Sequence, residues 1–230
     1  DPALARVAAD LLPGLAERSG LVLIEPVRVE RRSREELELY LSRKLDEALP
    51  PERAEYQTAV YSALGLVPAD LDLHALLLDL YLEQVAGFYD PDSTALFVLD
   101  DQPPAALEAL LMHELVHAIQ DQTADLGAIT DPELGNDRVQ AATAAIEGHA
   151  TLVMFEYALE QQQGERVDLT RIPNFADQFR PTLEVLQAQS PALAGAPTII
   201  RESLLFPYYG GASFIEALWK GRNGRPAPFG

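Results

Sequence analysis

The chain has no cysteine, and among its 230 residues only two methionines and one tryptophan. The missing thiols exclude a disulfide framework and any thiolate metal centre, so a bound metal would have to use imidazoles and carboxylates. Cations are scarce too, with 17 Lys and Arg against 36 Asp and Glu, a net charge of −19. A surface of that sign repels phosphate backbones and acidic lipid headgroups, which argues against nucleic acid and anionic membranes as partners. No apolar run reaches the roughly 18 residues of a membrane span. There is no internal repeat and no low-complexity tract. The start, Asp1-Pro2-Ala3, is not a signal peptide. Opening on Asp rather than Met fits a trimmed chain, and loss of an export signal or anchor would make the protein extracytoplasmic.

What is present describes a soluble globular protein: 48% hydrophobic and 23% charged residues, enough to bury a sizeable core. The length suits a single domain over 1–230, read in three parts. These are a helical N-terminal part at 1–82, a hairpin and metal-binding core at 83–162, and a helical C-terminal part at 163–230. Asp1 caps a helix to about residue 18, which Pro13-Gly14 should kink or end early. Residues 21–29, rich in Val and Ile, read as a strand. Ser33-Arg34-Glu35-Glu36 is a capping box before Leu37, Tyr40, Leu41 and Leu45 at helical spacing, and Pro50-Pro51 ends that helix. Further helices are expected over 52–64 and, capped by Asp70, over 71–82. Residues 84–89 and 94–99 flank the turn Asp90-Pro91-Asp92-Ser93 and form a hairpin.

Directly after the hairpin comes Leu111-Met112-His113-Glu114-Leu115-Val116-His117-Ala118-Ile119-Gln120-Asp121, which contains His-Glu-x-x-His. On a helix His113 and His117 lie one turn apart on one face, so both imidazoles can reach one metal ion. Glu114 can then point at a water on that metal and take its proton. Leu107, Leu111, Met112, Leu115, Ala118 and Ile119 gather on the opposite face. That stripe also suits an ordinary amphipathic helix. The residue choice favours chemistry, because two of the chain's four His fall at ligand spacing around a Glu. His74, alone on an apolar helix, reads as a packed or surface residue.

A catalytic zinc site uses three protein ligands and one open position. Asp121, Glu147 and His149 are the downstream candidates. Asp121 shares the face of His117 and suits a role as acceptor for an imidazole N–H. Glu147 lies mid-way along a helix expected from Asn136 or Asp137 to about 162, among small and apolar residues where a buried carboxylate needs a partner. His149 is about 200° round from it and cannot share its metal from a regular helix. Glu147 is the third ligand on this reading, with an ordinary ion pair as the alternative. Farther on, residues 173–189 read as a helix interrupted near Pro181 and 190–197 as a loop that could cover a cleft. A helical segment over 198–205 precedes Phe206-Pro207-Tyr208-Tyr209-Gly210-Gly211 and a final helix to about residue 220.

His113-Glu114-x-x-His117 followed by Glu147-Gly148-His149-Ala150 resembles the gluzincin metallopeptidases, in which the two His and a Glu from a later helix bind zinc. The run His-Glu-Leu-Val-His-Ala-Ile-Gln-Asp is similar to the thermolysin-like active-site helix, and Ile-Glu-Gly-His-Ala to the Asn-Glu-Gly-Phe-Ala form of gluzincin aminopeptidases. The Gly-Phe-Tyr-Asp-Pro hairpin resembles that of uncharacterised bacterial gluzincin-like proteins. The likeness covers residues 86–151 and departs in two places. The gap from His117 to Glu147 is longer than in thermolysin-like enzymes, and Thr151 stands where many gluzincins carry a supporting Asp, a task left here to Asp121. The resemblance implies an α+β, predominantly helical, zincin-like fold, with an edge hairpin packed on the two metal-binding helices. It implies one Zn2+ ion on His113, His117 and Glu147, Glu114 as general base, peptide or protein substrates, and a Tyr well after the third ligand as oxyanion donor. Tyr208 or Tyr209 would fill that last role, or both are packing aromatics. The alternative function is a zinc-binding module of gluzincin-like form without peptidase turnover. A purely structural helical protein, with the motif a coincidence, is the plainest rival.

Overall fold

The computed structural model describes residues 1–176, 178, 180–181, 190–222 and 224–229, with the side chains of 104 and 105 left aside. In chain order its elements are α1 (Pro2–Ser19), β1 (Arg28–Arg32), α2 (Arg34–Ala48), α3 (Pro51–Ala63), α4 (Leu73–Gln84), β2 (Gly87–Asp90), β3 (Ala95–Leu99), α5 (Pro104–Thr123), α6 (Leu126–Ile129), α7 (Asn136–Gln163), α8 (Pro191–Gly195) and α9 (Thr198–Trp219). The class is α+β, predominantly helical, with one three-stranded sheet of order β1-β3-β2 among the described residues. The chain divides into two compact units: Asp1–Arg31 with Ala86–Arg180 and Phe206–Gly230, and Arg32–Val85 with Pro181–Leu205.

The first unit is built round α5. Its apolar stripe, Leu111, Met112, Leu115, Val116, Ala118 and Ile119, is buried as the helical spacing requires. α1 and α7 pack against it and against each other, and β2 and β3 also lie against it. β3 is the central strand and every one of its residues is buried. β2 pairs antiparallel with β3, Gly87 opposite Val98 through Asp90 opposite Ala95, so the expected hairpin is present and β2 is an edge. In α7 the small residues Ala144, Ala145 and Gly148 are buried, and there α9 comes very close. A Cβ on Gly148 would run into the Gly211 carbonyl carbon and the Ala212 nitrogen, and one on Gly211 into the Ala144 oxygen. Farther along α7, Glu156 is fully buried and held on several sides. It pairs with Arg225 Nη1 at 2.5 Å and with Arg18 Nη1 at 3.8 Å, and accepts from Leu169 N at 2.8 Å.

In the second unit α4 packs on α2, α3 and α8, burying Leu37, Leu45, Leu73, Leu80 and Leu193. The capping box at the start of α2 is formed in both directions, Ser33 accepting from Glu36 N and Glu36 from Ser33 N. Glu83 accepts from Ser190 Oγ and Ala192 N at 2.7 and 2.8 Å, fixing the start of α8. His74 pairs with Asp46 at 2.9 Å and belongs to no metal-ligand group among the described residues.

Several boundaries differ from those expected. α1 runs unbroken through Pro13, because Leu4, Ala8, Leu11, Leu12 and Leu15 form one buried stripe spanning it. Residues 21–27 are not a strand. The amide of Gln122 bonds Ile24 N, Glu25 N and Glu25 O instead of a neighbouring strand, and β1 begins only at Arg28. Asp72, not Asp70, caps α4, accepting from Ala75 N at 2.9 Å. Between α5 and α7 the chain forms α6 and a 3-10 turn, Pro132–Leu134. α9 continues through Pro207 as one helix, the two segments expected there being joined. The buried Ala212, Ile215 and Trp219 anchor its later turns and offset the roughly 3 kcal/mol that an interior proline costs. Most of the helix expected over 173–189 lies outside the described residues.

The crossing of α7 and α9 generates a prediction. Gly211→Ala would force two backbones apart, and overpacking of this kind should cost on the order of 3 kcal/mol. Gly195→Ala, with nothing within 4 Å of the added Cβ, should leave stability near that of the wild type. Urea denaturation of the two variants measures the contrast, and equal midpoints would contradict the crossing.

Candidate metal centre

α5 carries both imidazoles and α7 the carboxylate. One helical turn separates His113 from His117, and their rings meet edge to face with centroids 4.7 Å apart. The α5–α7 contact lays Glu147 across them. Glu147 Oε2 is 3.0 Å from His113 Nε2 and 3.5 Å from His117 Nε2, and the two Nε2 atoms are 3.1 Å apart. All three ligand atoms lie within 4.8 Å of one another. Ligands about 2.0–2.1 Å from a tetrahedral zinc stand about 3.3 Å from each other, and the three separations bracket that edge. The donor set is chemically apt as well: two borderline nitrogens, one oxygen and no thiolate. These residues fit one divalent ion.

The charges reinforce the grouping. Burial by itself would raise the Glu147 carboxyl, but His117 and His113 reverse that and hold it ionised, well below the usual carboxylate range. Burial by itself would lower His117, yet Glu147 overrides it and raises the imidazole to about 9. Glu114 behaves oppositely to Glu147. Burial pushes its carboxyl up, with the two imidazoles and the N–H of Tyr89 pulling the other way. Tyr89 N donates to Glu114 Oε2 at 2.9 Å, so the edge strand β2 holds this side chain beside the ligands.

The other sites expected from the sequence are placed as follows. Tyr208 sits over His113, ring centroids 6.1 Å apart, whereas Tyr209 packs against Phe206 and beneath the Arg180 guanidinium. Asp121 bonds no imidazole among the described residues. Its Oδ2 accepts from the Tyr89 hydroxyl at 2.8 Å and its Oδ1 from Leu126 N at 3.0 Å, so it ties β2 to the end of α5. The bond to an imidazole comes from Gln120, which sequence reasoning passed over. Gln120 Oε1 is 2.8 Å from His117 Nδ1, and Gln120 Nε2 is 2.9 Å from Ile146 O and 2.8 Å from His149 Nδ1. His149 Nε2 in turn is 3.0 Å from Ser19 O, at the end of α1. Gln120 and His149 are both fully buried, with Trp219 and Phe229 edge-on to the His149 ring. The available signal was the position of Gln120 three residues after His117, on the side facing α7.

In comparisons with known proteins, no family model matches the chain, and neither a curated protein nor a solved structure matches it.

Burial lowers His149 to about 4, so it is neutral when folded and takes up a proton more readily when unfolded. The unfolded state therefore binds more protons below pH 6.5, and the stability His149 contributes is full above that value and lost as pH falls toward 4. Up to about 3 kcal/mol should disappear across this window. His117 acts in the opposite sense in the metal-free chain: its raised value contributes stability below pH 6.5 that is lost as pH rises through 9. Urea midpoints of the metal-free protein should therefore peak near pH 6.5. His149→Gln, which cannot ionise, should flatten the limb between pH 6.5 and 5, and an unchanged slope there would refute the assignment.

Proposed function

We propose that this chain hydrolyses peptide bonds using one zinc ion held by His113, His117 and Glu147, with Glu114 as the general base. The observation that carries this reading is the convergence of two imidazoles and a carboxylate from two helices, beside a second carboxylate pushed toward higher proton affinity. When bound, zinc would supply Lewis acidity toward the scissile carbonyl and lower the pKa of the attacking water.

The chain's own residues supply the rest. Glu114 takes a proton from the water and passes it to the leaving amine, a double task that favours a carboxyl poised nearer neutrality than usual. The Tyr89 N–H fixes Oε2 and leaves Oε1 without a hydrogen bond among the described residues, available to the water. Glu147 stays ionised and so neutralises part of the ion's charge. Tyr208, on the His113 side, is the better-placed hydroxyl for the oxyanion, and Tyr209 the packing partner. β2 is an edge strand next to the site, the position from which an extended peptide can be held by main-chain hydrogen bonds. One of its donors is already used: the Tyr89 N–H belongs to Glu114, so a substrate strand would bond to other groups of that edge.

Two outcomes test the reading. Zinc should raise the melting temperature of the metal-free protein, corresponding to about 2.7 kcal/mol at one hundred times its Kd. A chain that neither binds zinc nor gains stability from it would point to a structural role for the motif. Glu114→Gln should keep zinc affinity while turnover of a mixed peptide library falls at least about a hundredfold. Zinc binding with no wild-type cleavage of any peptide would select the alternative, a zinc-bound module without turnover.

A further inference from the structure

We propose that Gln120 is a positioning residue that dictates which nitrogen of His117 is offered to the metal, and that two backbone carbonyls dictate the orientation of Gln120. This inference rests on the metal-site reading above. It concerns a side chain that would touch neither metal nor substrate.

Donor and acceptor identity alone sets the direction of each bond. Gln120 has one amide end that only donates and one that only accepts. The Ile146 carbonyl, 2.9 Å away, can only accept, so the end of Gln120 facing it must be the NH2 group. The opposite end, Oε1, therefore faces His117 Nδ1 at 2.8 Å, and that nitrogen must carry the hydrogen. A neutral imidazole with Nδ1–H has its lone pair on Nε2, the atom grouped with His113 and Glu147. The second half of the chain agrees. The Gln120 NH2 group also donates to His149 Nδ1 at 2.8 Å, so His149 must carry its hydrogen on Nε2. That hydrogen points at the Ser19 carbonyl, 3.0 Å away, which can only accept. From Ser19 through His149 and Gln120 to His117, every bond has one permitted direction, set at two points by main-chain oxygens that cannot reverse.

The surroundings hold this polarity. Gln120 and His149 have no exposed surface, so neither can exchange its partner for water. Ser19 is the last residue of α1, where a carbonyl lacks an intrahelical partner and is free to accept. Trp219 and Phe229 fix the ring of His149 edge-on at 5.3 and 6.0 Å, which prevents it from turning away. The alternative His117 tautomer would set its Nδ1 lone pair against Gln120 Oε1 and put a hydrogen where a ligand lone pair is needed. A bond of this kind to a ligating histidine, when removed, typically weakens metal binding 10–100-fold.

The test uses the full chain, zinc itself as the probe, and the nitrogen NMR pattern of His117 in the metal-free protein above pH 9, where its imidazole is neutral. The wild type should show His117 as the Nδ1–H tautomer. Gln120→Leu, similar in size but without polar atoms, should lose that preference and bind zinc 10–100-fold more weakly. Gln120→Glu presents an acceptor to His117 whichever way it turns, so it should keep both the tautomer and wild-type affinity. It does so even though it removes the donors toward Ile146 and His149. That contrast separates hydrogen-bond direction from packing, since Gln120→Glu disturbs the interior at least as much as Gln120→Leu. The proposal is overturned if the neutral imidazole of wild-type His117, above that pH, carries its hydrogen on Nε2, a result needing no variant. It is equally overturned if Gln120→Leu binds zinc as the wild type does, or if Gln120→Glu loses as much as Gln120→Leu. A wild-type chain that takes up no zinc overturns the metal reading itself, and is recognised before any variant is compared.

Discussion

The contact on which the first unit depends is the passage of α9 across α7 at Gly148 and Gly211, where neither backbone leaves room for a Cβ. Close approach of this kind fixes an axial register on α7, because a shift of one residue would bring Glu147 or His149 into the crossing. Glu147 precedes one glycine, and Tyr208 lies three residues before the other. The same contact therefore sets how deep the carboxylate sits over the imidazoles of α5 and where the tyrosine ring lies against His113. The run Glu147-Gly148-His149 is best understood as one device: a side chain toward α5, a gap toward α9, and a ring toward α1 and the C-terminal residues.

A second constraint is the price of burying polar groups. The helix bearing His113 and His117 has its apolar stripe in the core and its polar face beneath α7, so neither face is open water. Imidazoles in that position need partners, and the fold supplies them as a directed chain rather than as a cluster of charges. His149 is neutral, Gln120 is neutral, and the net charge of the interior there is carried by Glu147 against His117. On the far end of α7 the solution is different. Glu156 is buried and met by Arg18 and Arg225, two of the few basic residues in a chain of net charge −19. Removing one member of such a set leaves an unpaired interior charge, which is why these arginines cannot be traded for surface ones.

Much of this was legible in the sequence where a signal is local. The capping box of α2, the hairpin, the apolar stripe of α5 and the spacing of His113 and His117 all follow from residues within a few positions of each other. Breaks at proline were misread for a physical reason: Pro13 and Pro207 sit in helices with buried residues on both sides of them, and local propensity yields to that packing. The strand expected at 21–29 failed because an apolar, β-branched run needs a neighbouring ladder, and Gln122 took the place of one. Choosing between Gln120 and Asp121 turned on 100° of helix rotation. Only the direction from which α7 approaches decides that Gln120 faces the imidazole and Asp121 faces Tyr89, and no spacing within α5 contains that direction.

Glu114 and Glu147 share one half-buried space, yet their proton affinities are displaced in opposite senses. The cause is geometry: Glu147 lies within hydrogen-bond reach of both imidazoles, while for Glu114 the loss of solvent outweighs the more distant pull of the imidazoles and its one backbone N–H. Environments that separate two like groups in this way assign them different work, one as a permanent anion and one as a group able to gain and lose a proton. A coincidental His-Glu-x-x-His on an ordinary amphipathic helix has no reason to divide its carboxylates so. That division, together with ligand separations that suit one tetrahedral ion, is why the proposed metal site is preferred to a structural motif.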